Sequence, residues 1–258
     1  MSVTIDQIKS LREVTGVSMQ ACKKALEESG GNEEKAIELL RKRGEAKAVD
    51  RAARSAGEGM VGVSHVGDIT VLIKVNCETD FSARSDDFVA FASSAAQRIA
   101  ENGGKPIDFS KEVVDLGAKI GEKIEIGEPV VLHGSPIGVY LHTDRKQAGV
   151  VHLSSGSEEI ARDLAMHVVA MRPVTTEPSG VDGALIEKER EIWSEELKKQ
   201  NTPEAMWENI MKGKEKKFRE ERALVTQAFV KNPDITVKQY LDQSAPGAVV
   251  SAFWRLSI

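Results

Sequence analysis

The sequence is poor in the residues that build disulfide scaffolds, membrane spans and nucleic-acid-binding surfaces. Only two cysteines, Cys22 and Cys77, occur in 258 residues, so the chain is not a disulfide-stapled fold, and we expect both thiols to be buried. No segment approaches the roughly 18 consecutive apolar residues of a transmembrane helix. The formal net charge is −5, which provides no bulk positive field for phosphate groups.

The first turns of the chain are charged, with Asp6, Lys9, Arg12 and Glu13 interrupting any apolar segment. A secretory signal peptide needs such a segment. We therefore expect a cytoplasmic protein that binds neither a membrane nor nucleic acid directly.

The motifs of common enzyme classes are also missing. The sequence has no Walker-type phosphate loop, no Gly-x-Gly-x-x-Gly after a strand and no Gly-x-Ser-x-Gly. Cys77 lies in a predicted polar loop, where a packed thiol is the favoured interpretation and a reactive one the alternative. His167 lies at helical spacing from Leu164, which predicts a position at the edge of a core. We expect no catalytic residues, cofactor or metal, since none of the histidines shows paired ligand spacing: His65, His133, His142, His152 and His167.

The first 44 or so residues show the pattern of three short helices. Thr4 and Gln7 form a capping-box pattern, Gly16 predicts the end of the first helix, and Ser18 and Asn32 are predicted N-caps of the next two. Such a small bundle more often docks to a partner than catalyses a reaction. The positions expected to face its core are Ile5, Ile8, Leu11, Met19, Cys22, Ala25, Leu26, Ile37, Leu39 and Leu40.

From Gly59 onward the apolar pattern changes to strand–turn–strand followed by a helix. The segments 60–63 and 69–75 predict a hairpin that turns at Gly67-Asp68. A polar loop over 76–84 and a helix capped by Ser85 are expected next. Phe88, Phe91, Ala92, Ala95 and Ile99 are its expected inward positions.

The same order of elements recurs downstream. Strands are predicted over 137–141 and 149–153, and a helix capped by Ser157 follows, ended by Arg172-Pro173. Two copies suggest an internal repeat, although any α+β unit has a similar order. The expected inward residues of this helix are Ile160, Leu164, Val168 and Met171.

Residues 181–222 are unusually charged, with 11 acidic and 10 basic side chains. A narrow apolar stripe through Ile186, Trp193 and Leu197 predicts a helical hairpin that projects as an antiparallel coiled coil. Thr202 and Pro203 are expected at the N-cap and first position of its second helix.

These patterns predict an α+β fold with an N-terminal three-helix bundle, a two-subdomain core of related hairpin–helix units and an inserted helical hairpin. The length is sufficient for two or three modules. The expected division is residues 1–56 for the bundle and linker, 57–136 for the first core subdomain, 137–180 with 223–258 for the second, and 181–222 for the hairpin.

The segment 76–81 is the most unusual one, because Phe81 is a large apolar group among carboxylates in a predicted loop. In one interpretation Phe81 folds back onto the following helix. In the other it is a wedge that fills a pocket of a partner, with Asp80 beside it. Considered alone, the residues favour the first interpretation.

Two long motifs, 11–26 and 75–81, resemble the signatures of bacterial-type translation elongation factor Ts. The resemblance continues through 119–122, 165–168 and 216–218 and spans essentially the whole chain. Lys74 and Ser82 depart from the family pattern, which usually has an acid and a valine at these positions. The bundle resembles ubiquitin-associated domains.

The resemblance implies a guanine nucleotide exchange factor for elongation factor Tu, which is not an enzyme in the sense of making or breaking covalent bonds. It also implies that the helical hairpin is a dimerisation element, with an unpartnered projection as the alternative. The alternative function is a docking scaffold built on the bundle, and a small hydrolase is a third. The partner-binding residues that the resemblance implies are Asp80, Phe81, Arg12, Met19, Lys23, Ile120, Gly121, His142 and Val230.

Overall fold

The computed structural model describes residues 3–15, 17–43, 51 and 53–258. Helices and strands follow one another along the chain, which confirms the α+β class. The chain divides into two compact units, Met1–Val131 with Asp144–Lys146 and Ser257–Ile258, and Leu132–Thr143 with Gln147–Leu256. The division into four segments stays a prediction. No helix in the described ranges is both long and apolar enough to cross a membrane.

The first unit begins with three short helices, α1 (Ile5–Thr15), α2 (Met19–Glu28) and α3 (Glu33–Lys42). The predicted caps are confirmed. Thr4 N–H donates to Gln7 Oε1 at 3.0 Å and Gln7 N–H to Thr4 Oγ1 at 3.2 Å, while Ser18 and Asn32 accept from the second and third helices. The buried residues of the bundle are Ile8, Leu11, Cys22, Ala25, Leu26, Ala36 and Leu40.

Two of the expected core positions of the bundle face solvent instead. Ile5 is 66% exposed because it begins α1, where no neighbouring helix covers it. Met19 is 37% exposed at the start of α2, while Cys22 lies buried one turn later. Gly16, residues 44–50 and Ala52 lie outside the described residues.

A hairpin and two longer helices complete most of the first unit. Strands β1 (Glu58–Val66) and β2 (Ile69–Cys77) pair in antiparallel register around the predicted turn, and β3 (Glu125–Ile126) pairs with β2. Helix α4 (Asp80–Ala83) is a single turn, and α5 (Asp86–Glu101) and α6 (Ser110–Ile120) follow. Strand β4 (Val130–His133) comes next in the chain.

The prediction of a polar loop over 76–84 was partly wrong. Strand β2 continues through Cys77, and Asp80–Ala83 form a helical turn, because Thr79 caps it by accepting from Ser82 N–H at 3.2 Å. Ser85 makes no capping bond to α5, and its hydroxyl donates to Ser82 O in the preceding turn at 2.8 Å.

The second unit contains the second hairpin–helix arrangement. Strands β5 (Ile137–Leu141) and β6 (Gln147–Leu153) precede helix α7 (Glu158–Met171), which Ser157 caps as predicted. After the helical hairpin, β7 (Ala228–Phe229), β8 (Asn232–Thr236), α10 (Val237–Ser244) and β9 (Val250–Ser257) complete the chain, and the sheet order is β5-β6-β9. Met171 was expected inside but is 45% exposed, because Ala161 and Ala165 supply the buried face of α7 instead.

In both units a hairpin glycine lets the helix approach the sheet. A Cβ on Gly62 would lie 2.2 Å from Ala92 O in α5, and a Cβ on Gly138 would lie 2.0 Å from Arg162 N in α7. The contacts are with helix backbone, so only glycine fits at these two positions.

The charged segment forms the expected helical hairpin, α8 (Gly183–Lys199) and α9 (Glu204–Arg222). Its seam is narrow and includes Trp193 packed edge-on against Phe218 with ring centroids 5.7 Å apart. Pro203 is the N-cap of α9 and not its first helical residue, because its ψ of 130° is extended. Dimerisation through this hairpin stays a prediction.

Candidate functional site

The turn after β2 presents an aromatic side chain to solvent. Phe81 is 85% exposed, so it does not pack on the following helix, and the interpretation in which it folds back is wrong. Its neighbour Asp80 forms an exposed ion pair with Arg84, with 3.0 Å between the oxygen and nitrogen atoms. The aromatic ring is therefore accessible from solvent in the free protein.

The buried side of the same turn is polar. Ser82 is only 5% exposed, and Thr79 donates its backbone N–H and its hydroxyl to the Glu122 carboxylate at 3.1 and 2.7 Å. Burial would raise the pKa of Glu122, but hydrogen bonds from Ser82, Thr79 and Glu78 hold the pKa of that carboxyl below its usual range. The serine that departs from the family pattern is therefore buried in a polar part of the turn.

Cys77 lies beneath this turn and is fully buried. Its Sγ donates to Thr79 O at 3.2 Å. Burial, with the nearby Glu122 carboxylate, raises the pKa of the Cys77 thiol to about 12. The thiol is therefore protonated at neutral pH, and the alternative of a reactive cysteine is wrong.

The structure brings the end of α6 next to this turn. Gly121 caps α6 in the left-handed region, with φ of 85°, and its carbonyl accepts from Arg54 at 3.5 Å. Glu122, the next residue, bonds to the backbone of Glu78 and Thr79. The implied contact residues Ile120 and Gly121 thus lie beside the segment that carries Asp80 and Phe81.

The bundle residues that the resemblance implies are at least partly accessible. Arg12 and Met19 line one cleft of about 380 Å³, with Val17 and Ser18 beside them. Arg12 also lines a second cleft, of about 530 Å³, together with residues of α6. Lys23, one turn after Met19, is exposed and forms only a weak pair with Glu27 at 3.8 Å.

The two remaining implied residues, His142 and Val230, lie in the second unit. His142 follows β5, its N–H donates to Gln147 O at 2.9 Å, and its ring packs edge-on against Tyr140. Val230 has a 36% exposed side chain, and its backbone N–H donates to His167 Nδ1 at 3.1 Å.

His167 is fully buried. Its helical spacing had predicted a position at the edge of a core, and that prediction was wrong. Its Nδ1 accepts from Val230 N–H, and its Nε2 lies 2.9 Å from Gln227 Oε1. Both contacts are satisfied by the neutral ring with the proton on Nε2. His167 therefore positions the backbone of Val230, a role that the helical pattern alone did not indicate.

Acid is expected to weaken the second unit through His167. Burial lowers the pKa of this imidazole below its usual 6.5, so the unfolded chain takes up the proton more readily than the folded one. The contribution of His167 is fully present above pH 6.5 and is lost as the pH falls below it. Urea unfolding at pH 7.5 and pH 5.5 measures this loss.

The control for this experiment is His167→Gln, which retains a polar group but cannot be protonated. Carboxylates make both the wild-type protein and His167→Gln less stable in acid. The quantity to compare is therefore how much free energy of unfolding each protein loses between pH 7.5 and pH 5.5. Equal losses of stability in both proteins would contradict the prediction.

The chain is similar in sequence to known proteins over its whole length. The family model for elongation factor TS matches residues 78–258. A protein of Marinobacter nauticus called elongation factor Ts is 40% identical over 265 aligned residues, covering 100% of this chain and 91% of that protein. Proteins with the same name from Alkalilimnicola ehrlichii and Aeromonas hydrophila are 39% and 38% identical, covering 100% and 97% of this chain and 92% and 89% of theirs.

Proposed function

Since this chain belongs to the elongation factor Ts family of translation factors, we propose that it is a guanine nucleotide exchange factor for elongation factor Tu. It binds this GTPase in a form whose nucleotide and magnesium sites are distorted, and GDP then leaves faster. The observation that carries the proposal is the 85% exposure of Phe81 on a capped helical turn.

Phe81 acts as an apolar wedge in this mechanism. Moving its ring from water into a pocket of the GTPase gains free energy, while its own fold loses no packing. Asp80 enters the same site beside it and carries a negative charge towards the magnesium region. No covalent bond is made or broken, so the protein is not an enzyme in the usual sense.

Thermodynamic linkage sets the energetic requirement. If the factor lowers the affinity of elongation factor Tu for GDP by some ratio, GDP lowers the affinity for the factor by the same ratio. The remaining contacts hold the GTPase while the nucleotide leaves. We assign these contacts to Arg12, Met19 and Lys23 of the bundle, to Ile120 and Gly121, and to His142 and Val230.

Release of a fluorescent GDP from elongation factor Tu tests the proposal. Addition of the protein is expected to raise the release rate by at least about tenfold, which corresponds to a barrier lower by about 1.4 kcal/mol. An unrelated GTPase loaded with the same nucleotide is the control and should show no change. An unchanged rate for elongation factor Tu would contradict the exchange function and leave the docking scaffold as the remaining candidate.

A further inference from the structure

The helical turn that carries Phe81 has little support of its own. Helix α4 is only four residues long, and a single helical turn is unfavourable in isolation. Its first N–H groups need acceptors from outside the helix. Because Phe81 is 85% exposed, its side chain adds almost no burial to hold the turn in place.

Glu122 accepts hydrogen bonds from the segment that immediately precedes α4 and includes its N-cap Thr79, 43 residues earlier in the sequence. Its Oε2 accepts from the backbone N–H groups of Glu78 at 3.0 Å and Thr79 at 3.1 Å. Its Oε1 accepts from the Thr79 hydroxyl at 2.7 Å. Hydrogen bonds to an ionised carboxylate are among the stronger ones in proteins.

The Thr79 hydroxyl connects this carboxylate to the turn. It donates to Glu122 and also accepts from Ser82 N–H at 3.2 Å, which is the N-cap bond of α4. Donation to one side orients the lone pairs towards the other. The carboxylate therefore orients the cap, and the cap positions the backbone of Asp80 and Phe81.

Reciprocal bonds hold Glu122 itself in place. Glu78 Oε1 accepts from Lys123 N–H at 2.6 Å, one residue after Glu122. Arg54 donates to both oxygens of Glu78, at 3.2 and 3.4 Å, and to Gly121 O at 3.5 Å. Residues 78–79 and 121–123 thus hold each other in place through hydrogen bonds in both directions, which we call the bracing.

The second hairpin–helix arrangement lacks this feature. Residues 78–85 connect β2 to α5, whereas residues 154–157 connect β6 to α7, so the first connection is eight residues long and the second is four. The extra length corresponds to the α4 turn. The bracing by Glu122 therefore accompanies a turn that the second copy does not have.

We infer that Glu122 is a positioning residue for nucleotide exchange, which holds the turn so that Asp80 and Phe81 are presented in their binding geometry. This inference rests on the proposed exchange function. Glu122 does not contact the partner in this mechanism, and its effect passes through Asp80 and Phe81.

The exchange assay tests the inference with a double-mutant cycle. Glu122→Ala is expected to lower the efficiency of GDP release about tenfold, which corresponds to about 1.4 kcal/mol. In a Phe81→Ala background the same change is expected to cost clearly less than tenfold, since one of the two residues that Glu122 positions is already lost. An equal tenfold loss in both backgrounds, or no loss in either, would overturn the inference.

Two further variants separate positioning from general stability. Glu122→Gln keeps one acceptor oxygen and should recover part of the lost efficiency. Glu112→Ala is the matched control, because Glu112 lies on α6 but bonds to Arg98 at 2.8 Å and not to the turn. This control should keep full efficiency with a thermal midpoint close to that of Glu122→Ala. If Glu122→Ala does not fold, the cycle is measured with Glu122→Gln.

Amide hydrogen exchange of the protein alone gives a readout that does not depend on elongation factor Tu. The Glu78 and Thr79 amides should exchange about tenfold faster in Glu122→Ala than in the wild-type protein, and at the wild-type rate in Glu112→Ala. Unchanged protection in Glu122→Ala would overturn the bracing. If the wild-type protein does not accelerate GDP release from elongation factor Tu, the proposed function is wrong. The amide exchange rates would then still test whether Glu122 holds the turn.

Discussion

Replacement of Phe81 by alanine is expected to reduce the acceleration of GDP release from elongation factor Tu by about 10- to 100-fold. Burying a phenylalanine side chain in an apolar pocket is worth about 1.5–3 kcal/mol, and each 1.4 kcal/mol corresponds to a factor of ten. The free energy of unfolding should change by less than about 0.5 kcal/mol, because Phe81 is 85% exposed in the free protein. Stopped-flow release of fluorescent GDP and urea unfolding measure the two quantities.

Two variants control this result. Phe81→Leu keeps an apolar side chain of smaller size and should retain more activity than Phe81→Ala. Val249→Ala changes a residue of the second unit that is 60% exposed. This variant should accelerate GDP release from elongation factor Tu as much as the wild-type protein does. If Phe81→Ala accelerates release as well as the wild-type protein, the exchange function stands but Phe81 is not its wedge.

The largest effect on stability is expected for Gly138→Ala, which should destabilise the protein by about 3 kcal/mol or prevent folding. The added Cβ would lie 2.0 Å from Arg162 N and 2.2 Å from Ala161 C. Both are backbone atoms of α7, so no side-chain rotation relieves the overlap. Strand β5 and helix α7 must move apart, which opens the buried cluster between them.

Gly213→Ala is the matched control, because nothing lies within 4 Å of the added Cβ in the middle of α9. Alanine favours an exposed helix interior over glycine by about 0.5–1 kcal/mol, so this variant should be more stable than the wild-type protein. Thermal unfolding followed by circular dichroism ranks the three proteins. A Gly138→Ala protein as stable as the wild type would show that the hairpin and helix can separate at little cost.

Local features of the fold were predictable because they depend on residues close together in the sequence. The N-cap bonds of Ser18, Asn32 and Ser157 each join side chain and backbone three residues apart. The hairpin turn at Gly67 is similarly local. The family was recognisable for another reason, since long motifs with characteristic spacing occur in order along the chain.

Errors occurred where burial or pairing depends on distant segments. Ile5 and Met171 fit the helical period but are exposed, because the period says which face a residue shares and not what covers that face. One error was local: the Ser85 hydroxyl donates to Ser82 O, three residues earlier, and makes no capping bond to α5. The turn that contains Ser82 was expected to be a loop, since four residues carry no periodicity.

The sequence by itself determined the caps at Thr4, Ser18, Asn32 and Ser157, the hairpins, the α+β class and the family, because short-range hydrogen bonds and ordered motifs are encoded locally. Only the tertiary structure decided that Phe81 faces water and that Glu122 holds its turn. An isolated helical turn of four residues is unfavourable, so its geometry depends on acceptors from elsewhere in the chain. The N-cap residue Thr79 is itself held by Glu122, 43 positions away, and only folding brings the two together.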